Sequence, residues 1–297
     1  MSVSVIIPTL NAEKELPKLL YTLHRQKQRI DEIIVIDSES IDRTVEICQE
    51  DKSVSLIQIK RKDFDHGKTR DMAFRYSKGD IVVFLTQDAV PTNRYFLGNL
   101  IKPLSNDNVV LSTGRQLPKK NATRMERLVR LYNYPDTSYI RSKDDLACMG
   151  IKTFFCSDVC AAYRREVYFE LGGFDYPIKT NEDMFYAAKV INANYRISYT
   201  ANAMVYHSHN FTLKEQYKRN YIQGYEIERH RKELHDVAQE SEGLKLVKYV
   251  SSRLLKKGHI ISFVHFGLDC TARLLGSKMG ERKAIKDECY NETKKAN

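Results

Sequence analysis

Three side chains that can bind a divalent cation stand near the ends of apolar segments. Asp88 closely follows the run "DIVVFL", and His207 and His209 follow "AMVY". A hard cation that bridges a diphosphate takes one or two carboxylates and phosphate oxygens, and a histidine completes the shell of a manganese-like ion. Residues at alternate positions of a strand face the same side, so both rings should point together. We expect Mg²⁺ or Mn²⁺ here, with ordinary surface histidines as the alternative.

An acidic pair in "TNEDMFYAAK" has the position of a proton acceptor. Glu182 and Asp183 fall in the first turn of a predicted helix, where the helix dipole favours negative charge whatever the function. A carboxylate there is also held rigidly and can be directed into a cleft. It would then take the proton of an acceptor hydroxyl, as a general base does.

The segment "DFDHGKTRD" combines an aromatic ring, an imidazole and two cations within nine residues. Lys68 and Arg70 stand at the start of a predicted helix, where exposed N–H groups and basic side chains suit a diphosphate. Phe64 would flank a nucleotide base, although burial in the core is the commoner position for a phenylalanine. The segment therefore favours phosphate binding.

Strand and helix patterns alternate through the first half of the chain. The strands "SVSVIIPT", "EIIVIDS", "VSLIQI" and "DIVVFLTQDA" are almost continuously apolar, which is typical of a mostly parallel sheet covered by helices on both faces. Ligands of such sheets lie beyond the carboxyl ends of the strands. One polar strand end is explained by turn and cap preferences, but four together favour a ligand site. Its residues are Thr9, Asn11, Asp37, Ser38, Ser40, Phe64, Asp65, His66 and Asp88.

The remainder of the chain divides into two predicted parts. We expect a catalytic domain over residues 1–212, with a helix and a loop between Lys119 and Asp145, and a strand pair in "RISYTANAMVYHSHN". Residues 213–297 form a predicted helical region. Beyond Phe211 the chain carries 18 lysines and arginines against 12 aspartates and glutamates, which is +6 of the total +10.

The basic helical region predicts a location at a membrane surface. Basic amphipathic helices bind anionic lipid, and the alternative is that these helices pack on the catalytic domain or on a second subunit. The N-terminus lacks a signal peptide and no apolar run approaches about 18 residues. We expect a cytoplasmic protein in peripheral contact with the inner face of the cell membrane.

Composition and motifs exclude two classes of protein. The net charge of +10 indicates an anionic partner. The basic residues do not form the aromatic-interleaved stripe of single-strand binders, and no nucleic-acid-binding module is present, so nucleic acid is not the expected partner. No GxGxxG follows the first strand, which argues against a dinucleotide-dependent oxidoreductase.

In this order the motifs resemble the family-2 glycosyltransferases with the GT-A fold, from residue 3 to about 212. "VIIPTLN" is similar to their opening strand, "VIDSESIDRT" to "VDDGSxDxT", "TQDA" to the DXD element, "GGFD…NEDM" to the segment of the catalytic base, and "VYHSHNFT" to the terminal histidine element. The resemblance implies that Asp183 is the base and that Asp88 binds metal with His207 or His209. It further implies a nucleotide site of Pro8, Thr9, Asn11, Asp37, Ser38, Ser40, Phe64, His66, Gly67, Lys68, Arg70, Gln87 and Asp88.

Departures from the family pattern narrow the resemblance. Thr86 replaces the first acid of DXD, and Ser38 and Glu39 replace the second Asp and the Gly of "VDDGS". Together with "FDHGKTRD", "TFFCSD" and "HSHN", these changes resemble the rhamnosyltransferase branch, which uses dTDP-L-rhamnose and builds cell-surface polysaccharide. A UDP-linked glucose, galactose or GalNAc donor is the alternative.

The resemblance implies an inverting, single-displacement transfer from a nucleotide-sugar to a glycan or lipid-linked glycan. Ser157, Asp158 and Glu182 are expected at the acceptor or the transferred sugar. A cation at Asp88 would neutralise the leaving diphosphate. From a different class, a non-catalytic scaffold that binds nucleotides is the alternative function.

Overall fold

A single sheet of nine strands runs through the described part of the chain, which is residues 1–235 and 240–296 of this computed structural model. The strands are β1 Val3–Thr9, β2 Glu32–Asp37, β3 Val54–Gln58, β4 Ile81–Leu85, β5 Val90–Pro91, β6 Val109–Leu117, β7 Tyr139–Arg141, β8 Cys160–Arg164 and β9 Arg196–Tyr206. The α-helices are α1 Leu16–His24, α2 Thr44–Glu50, α3 His66–Tyr76, α4 Phe96–Ile101, α5 Arg124–Asn133, α6 Leu146–Met149, α7 Arg165–Glu170, α8 Glu182–Asn192, α9 Leu213–Arg229, α10 Glu240–Lys256 and α11 Ile260–Ala296.

The strand order confirms the α/β architecture and adds a second half of mixed direction, in which β6 and β9 are parallel to one another. The order is β3-β2-β1-β4-β8-β6-β9-β5, with β7 also paired to β9. Strands β1 to β4 are parallel, whereas β8 runs antiparallel to both β4 and β6. The sheet is therefore mixed, and the expected mostly parallel arrangement holds for its first half. Strands buried on both faces look equally apolar in either direction, so their composition does not reveal the direction.

Helices cover both faces of the sheet. Successive residues of β1 point to opposite sides, so Val5 and Ile7 pack with Leu19 of α1, while Ile6 packs with Phe74 of α3. These two cores hold the carboxyl ends of β1, β2 and β4 at one edge of the sheet. The polar residues that follow those strands are therefore brought to the same edge.

The start of α3 is fixed by a cap and a close approach of two segments. The Asp65 side chain accepts hydrogen bonds from the backbone N–H of Lys68 at 2.9 Å and of Ile178 at 2.7 Å. Gly67 has no room for a side chain, because an added Cβ would lie 2.0 Å from the carbonyl oxygen of Asp175. The first turn of α3 is thus held against the segment that precedes α8.

The expected strand pair before the histidines is wrong, since residues 196–206 form one strand of 11 residues. The pairing of β6 with β9 shifts its register between Gly114 and Arg115, and beyond this irregularity β9 continues along β6 without a turn. His207 and His209 lie beyond the end of β9 instead of at alternate positions within it.

The last helices pack closely on one another and on α5. Gly276 and Gly280 of α11 lie directly against the backbone of Tyr217 and Tyr221 in α9, where an added Cβ would meet a carbonyl oxygen at 2.4 Å and 2.0 Å. A small apolar core joins α5, α10 and α11. Within residues 1–235 and 240–296, no helix is both long and apolar enough to span a bilayer.

Candidate active site

Asp88, His207 and His209 converge at the edge of the sheet. The His207 Nε2 atom lies 3.4 Å from Asp88 Oδ1, and His209 Nε2 lies 3.6 Å from Asp88 Oδ2. One ligand atom from each residue falls within 4.8 Å of the others. One carboxylate with two imidazoles is a donor set that suits a transition-metal ion such as Mn²⁺ better than it suits Mg²⁺, which takes oxygen ligands. The predicted cation site is therefore assembled from two distant segments.

Gln116 sets the tautomer of His207. Its Oε1 atom accepts a hydrogen bond from Arg130 Nη1, and because a guanidinium only donates, this amide atom must be the oxygen. His207 Nδ1 lies 2.9 Å from the same oxygen and must therefore carry its proton. The lone pair of His207 is consequently on Nε2, which faces Asp88. This is the form that a metal requires, oriented by a neighbour that is not itself a ligand.

The surroundings of Asp88, His207 and His209 favour the protonation states in which these side chains can bind a metal ion. Burial lowers the pKa of His207 to about 3 against the opposing Asp88 carboxylate, and burial likewise lowers the pKa of His209. Burial would raise the pKa of Asp88, but His207 and Lys119 outweigh it and lower that pKa. Lys119 Nζ lies 2.7 Å from Asp88 Oδ2. The site thus presents neutral imidazoles and a charged carboxylate, as metal binding requires.

A second cluster holds three carboxyl groups around Arg70. The guanidinium forms ion pairs with Glu182 Oε1 at 3.1 Å and with Asp158 Oδ2 at 3.3 Å, and all three side chains are buried. The partly exposed Asp183 accepts hydrogen bonds from the backbone N–H of Asp158 at 3.0 Å and of Met184 at 2.7 Å. Arg70 lines the cleft but is bound to carboxylates, so its expected role at a diphosphate stays a prediction.

The neighbours of these carboxyl groups separate their pKa values. Burial disfavours the charged form of Glu182, but Arg70 and His66 outweigh it and lower the pKa to about 2. Burial and the Glu182 carboxylate raise the pKa of Asp183 to about 7. Burial and Asp183 raise the pKa of Asp158 well above its usual range, against Arg70. Only Asp183 combines partial exposure with a pKa near neutrality, which suits a general base.

Two pockets open beside these clusters, with volumes of about 510 Å³ and 500 Å³ that are typical of ligand sites. The strand-end pocket is lined by Pro8, Thr9, Leu10, Glu15, Ser38, Arg61, Phe64, His66, Arg70, Thr86, Gln87, Asp88, Lys119 and His209. The wall of the helical pocket includes the predicted residues Ser157, Asp158, Glu182, Asp183, His207 and His209, together with residues of α5, α9 and α11. The two pockets share His66, Arg70, Thr86 and His209.

Five residues expected at a nucleotide do not line the strand-end pocket, namely Asn11, Asp37, Ser40, Gly67 and Lys68. Asp37 is fully buried and accepts hydrogen bonds from Thr9 Oγ1 at 3.1 Å and Ser40 N at 2.9 Å, which holds the pocket wall in place. The Asn11 side chain accepts from Ile41 N at 3.0 Å. Gly67 packs on Asp175, and Lys68 is exposed outside the pocket. Direct contact of these five with a nucleotide stays a prediction.

Residues 4–172 match the model of glycosyl transferase family 2. The chain belongs to that family. The glycosyltransferase is 41% identical over 225 residues to the O-antigen chain rhamnosyltransferase RfbN of Salmonella typhimurium, which covers 75% of this chain and 72% of RfbN. It is 38% identical over 225 residues to the O-antigen chain rhamnosyltransferase WbaN of Salmonella anatum, or 75% of this chain and 71% of WbaN. The predicted family and rhamnosyltransferase-like branch are confirmed.

Solved structures share the fold of this glycosyltransferase at low identity. The mannosyltransferase PcManGT from Pyrobaculum calidifontis, in complex with GDP-Man and Mn²⁺, superposes with a TM-score of 0.65 at 18% identity over 96% of this chain and 87% of that chain. Residues 1–349 of TarS from S. aureus, in complex with UDP-GlcNAc, give a TM-score of 0.57 at 16% identity, with 95% and 92% covered. The GT-A fold is confirmed.

Three side chains of the glycosyltransferase site were missed by the sequence interpretation: Gln116, Lys119 and Arg130. Gln116 and Lys119 lie at the carboxyl end of β6, whose run "VVLSTGRQL" begins with apolar residues and ends in polar ones. That is the same signal that marked the other strand ends, so these two could have been found. Arg130 lies on α5 and does not follow a strand, so this pattern could not have identified it.

Proposed function

We propose that this glycosyltransferase transfers L-rhamnose from dTDP-L-rhamnose to a hydroxyl of a lipid-linked glycan during assembly of O-antigen or a similar cell-surface polysaccharide. One observation carries the proposal: the strand-end and helical pockets meet at the Asp88–His207–His209 cluster, and Asp183 opens only into the helical pocket. A donor on one side and an acceptor on the other would then react across the junction. The names of the two similar Salmonella proteins support rhamnose as the transferred sugar.

The strand-end pocket is the proposed donor site. Its wall includes Thr9, Ser38 and Phe64 as well as Asp88 and Lys119. A nucleotide bound beside Thr9, Ser38 and Phe64 would direct its diphosphate toward Asp88. Mg²⁺ or Mn²⁺ held by Asp88 and the histidines would supply charge neutralisation for the leaving diphosphate. The Lys119 ammonium, 2.7 Å from Asp88, adds a second positive charge at the same place.

Asp183 is the proposed base in a single displacement that inverts the anomeric centre. Both of its oxygens accept one backbone hydrogen bond, which orients the carboxylate and leaves lone pairs for the proton of the acceptor hydroxyl. Arg70, paired with Glu182 and Asp158, keeps the neighbouring acids in place. The hydroxyl oxygen forms the new bond to the anomeric carbon as the diphosphate departs with the bonding electrons.

Donor binding is tested by thermal shift against dTDP-L-rhamnose and UDP-linked glucose, galactose and GalNAc, each with and without Mn²⁺. We expect dTDP-L-rhamnose with Mn²⁺ to give the largest rise in Tm, and Asp88→Ala to remove the Mn²⁺-dependent part of it. A larger rise with a UDP-hexose would identify the alternative donor. A rise without turnover of the donor would instead identify a nucleotide-binding scaffold.

The base is tested by Asp183→Ala in the same protein. We expect the nucleotide-dependent rise in Tm to persist while turnover falls by about 10²- to 10⁴-fold, the usual contribution of one positioned base. Turnover close to that of the unsubstituted enzyme would refute the assignment of Asp183.

We further propose that residues 213–297 attach the catalytic domain, residues 1–212, to the anionic cytoplasmic face of a membrane. On α11 the side chains of Ile261, Val264, Leu268 and Leu275 are each more than half exposed and, at about 100° per residue, fall on one face. The opposite face packs on α9. The exposed face continues into the exposed cations Arg282 and Lys286.

The charge pattern favours lipid over a second subunit as the occupant of this face. The acids Asp269, Glu281, Asp287 and Glu288 project from other sides of α11, so two copies of the face would offer no opposite charge to one another. Anionic headgroups would complement the cations, while the apolar side chains enter the headgroup–acyl boundary.

Vesicle flotation of the full-length protein tests the membrane contact. We expect the protein to float with vesicles of phosphatidylglycerol and phosphatidylcholine, and to float less with phosphatidylcholine alone. The double substitution Val264→Glu with Leu268→Glu should abolish flotation with both kinds of vesicle. The control Tyr21→Glu alters a similarly exposed ring on α1. Unchanged flotation of the double variant would contradict the contact, and a dimer that the same substitutions dissociate would assign the face to a second subunit.

A further inference from the structure

The helical pocket is walled by polar faces of two helices. Helix α9 contributes Gln216, Arg219 and Gln223, and α5 contributes Arg130 and Asn133. Residues spaced by three, four or seven positions lie on one side of a helix, and on helices that pack together that side is normally apolar. On α5 and α9 these polar sides face the pocket. Amide and guanidinium groups in such numbers indicate a ligand rich in hydrogen-bonding groups.

Three guanidinium groups line this pocket from three different helices. Arg130 of α5 and Arg273 of α11 have carboxylate partners one turn away, Glu126 at 2.6 Å and Asp269 at 2.6 Å. Arg219 of α9 has no carboxylate within ion-pair distance anywhere in residues 1–235 or 240–296. Its guanidinium instead lies over the ring of Phe211, 4.5 Å from the centroid. The Glu126 carboxylate, which is paired with Arg130, also acts on Arg219. Three guanidinium groups thus stand here with two paired carboxylates, and within the described ranges Arg219 forms no ion pair of its own.

The wall of the pocket carries both signs of charge. Glu126, Glu182 and Asp183 line it together with the three arginines, and Arg130 also reaches the cation site through its hydrogen bond to Gln116. Desolvation and the positive charges of Arg273 and Arg130 lower the pKa of Arg219, which remains an exposed residue, and the Glu126 carboxylate opposes this shift. An anion bound among the three would relieve this repulsion. A ligand with a hydroxyl at one end and an anion at the other would be oriented with its hydroxyl toward Asp183.

We propose that Arg219, with Arg130 and Arg273, binds the phosphate of a phosphate-linked glycan acceptor and thereby selects acceptors whose phosphate lies close to the sugar that is glycosylated. This inference rests on the proposed function, since it takes the helical pocket as the acceptor side. Guanidinium groups match phosphate oxygens through two parallel hydrogen bonds. The diphosphate of the donor is not the ligand, because none of the three arginines lines the strand-end pocket.

The position of α11 agrees with a phosphate attached to lipid. Arg273 projects into the pocket, while Leu268 and Leu275 lie on the exposed apolar face of the same helix. A phosphate that joins a glycan to an isoprenoid chain has the sugar on one side and the bilayer on the other. One helix would thus contact both the phosphate and the membrane.

The test uses farnesyl diphosphate as a probe, with dTDP and Mg²⁺ at saturation to occupy the donor side. Binding is measured by calorimetry for the full chain, for Arg219→Gln and for Lys218→Gln. The control removes the same charge from the adjacent position of α9, outside the pocket. Because Arg219→Gln removes charge-assisted hydrogen bonds to the phosphate, we expect it to weaken binding of the probe by about 10- to 100-fold. Lys218→Gln should leave its affinity unchanged.

Two further probes separate phosphate from its lipid carrier. Farnesol, which has no phosphate, should bind equally weakly to all three proteins. Inorganic phosphate should compete with farnesyl diphosphate in the unsubstituted protein and in Lys218→Gln, but not in Arg219→Gln. Equal affinity of Arg219→Gln and Lys218→Gln for farnesyl diphosphate would overturn the proposal. So would farnesol that binds as tightly as the diphosphate. Failure of dTDP itself to bind would instead refute the proposed function.

Discussion

Substitution of Gln116 by leucine probes the support of the cation site without removing a ligand. His207 is only 6% exposed, and its Nδ1–H has Gln116 Oε1 as its partner at 2.9 Å. Leucine is close to glutamine in size but accepts no hydrogen bond. In Gln116→Leu the imidazole is therefore free to move its proton to Nε2, the atom that faces Asp88, and Arg130 also loses a partner.

The expected loss of metal affinity follows from that one hydrogen bond. A buried donor left without a partner costs roughly 1–3 kcal/mol, and removal of an outer-shell partner typically weakens metal binding by about 10- to 100-fold. The two ranges agree, because about 1.4 kcal/mol corresponds to a factor of ten. We therefore expect the Kd for Mn²⁺ to rise by about 10- to 100-fold in Gln116→Leu.

The assay is a titration of Mn²⁺ followed by electron paramagnetic resonance, with dTDP at saturation. Gln116→Glu is the matched control, since its carboxylate still accepts from Arg130 and from His207 and should bind Mn²⁺ at least as tightly as the unsubstituted protein. The reasoning is refuted if leucine leaves the Kd within about twofold, or if leucine and glutamate weaken binding equally. Thermal denaturation in EDTA verifies that both variants are folded.

Two further predictions concern the base and the packing of the terminal helices. Because Asp183 must be ionised to accept a proton and its pKa is raised to about 7, kcat/KM should fall as the pH drops below about 7. Glu182→Gln removes a negative charge that raises this pKa, so the fall should shift to lower pH. In α11, Gly280→Ala should destabilise the protein by about 1–3 kcal/mol, since the new Cβ would lie 2.0 Å from a backbone oxygen. Gly267→Ala, with nothing within 4 Å, should stabilise it by up to ~1 kcal/mol.

Each of these has a clear contrary result. A pH profile with the same acid limb in Glu182→Gln and in the unsubstituted enzyme would show that a group other than Asp183 sets the limb. Equal urea midpoints for Gly280→Ala and Gly267→Ala would show that α9 and α11 are not held in backbone contact.

The family, the α/β architecture and the grouping of Asp88 with His207 and His209 could all be predicted from the sequence. Apolar runs such as "DIVVFL" predict buried strands because burial is recorded directly in composition. The carboxyl ends of parallel strands share an edge, so the sequence alone places Asp88 at a ligand site. The order of the motifs then identified the family-2 resemblance that the match over residues 4–172 confirms.

Pairings between distant charged groups were decided only by the tertiary structure. The position of Arg70 at the start of a helix predicted that it binds a diphosphate. Its guanidinium instead pairs with Asp158 and Glu182, which follow it in the chain by 88 and 112 residues. The direction of β8 and the hydrogen bond from His207 to Gln116 likewise could not be predicted from the sequence. The physical reason is that a side chain's type records whether it is buried or charged, whereas its partner depends on which segments the fold brings within hydrogen-bonding distance. Local sequence carries no record of that distance.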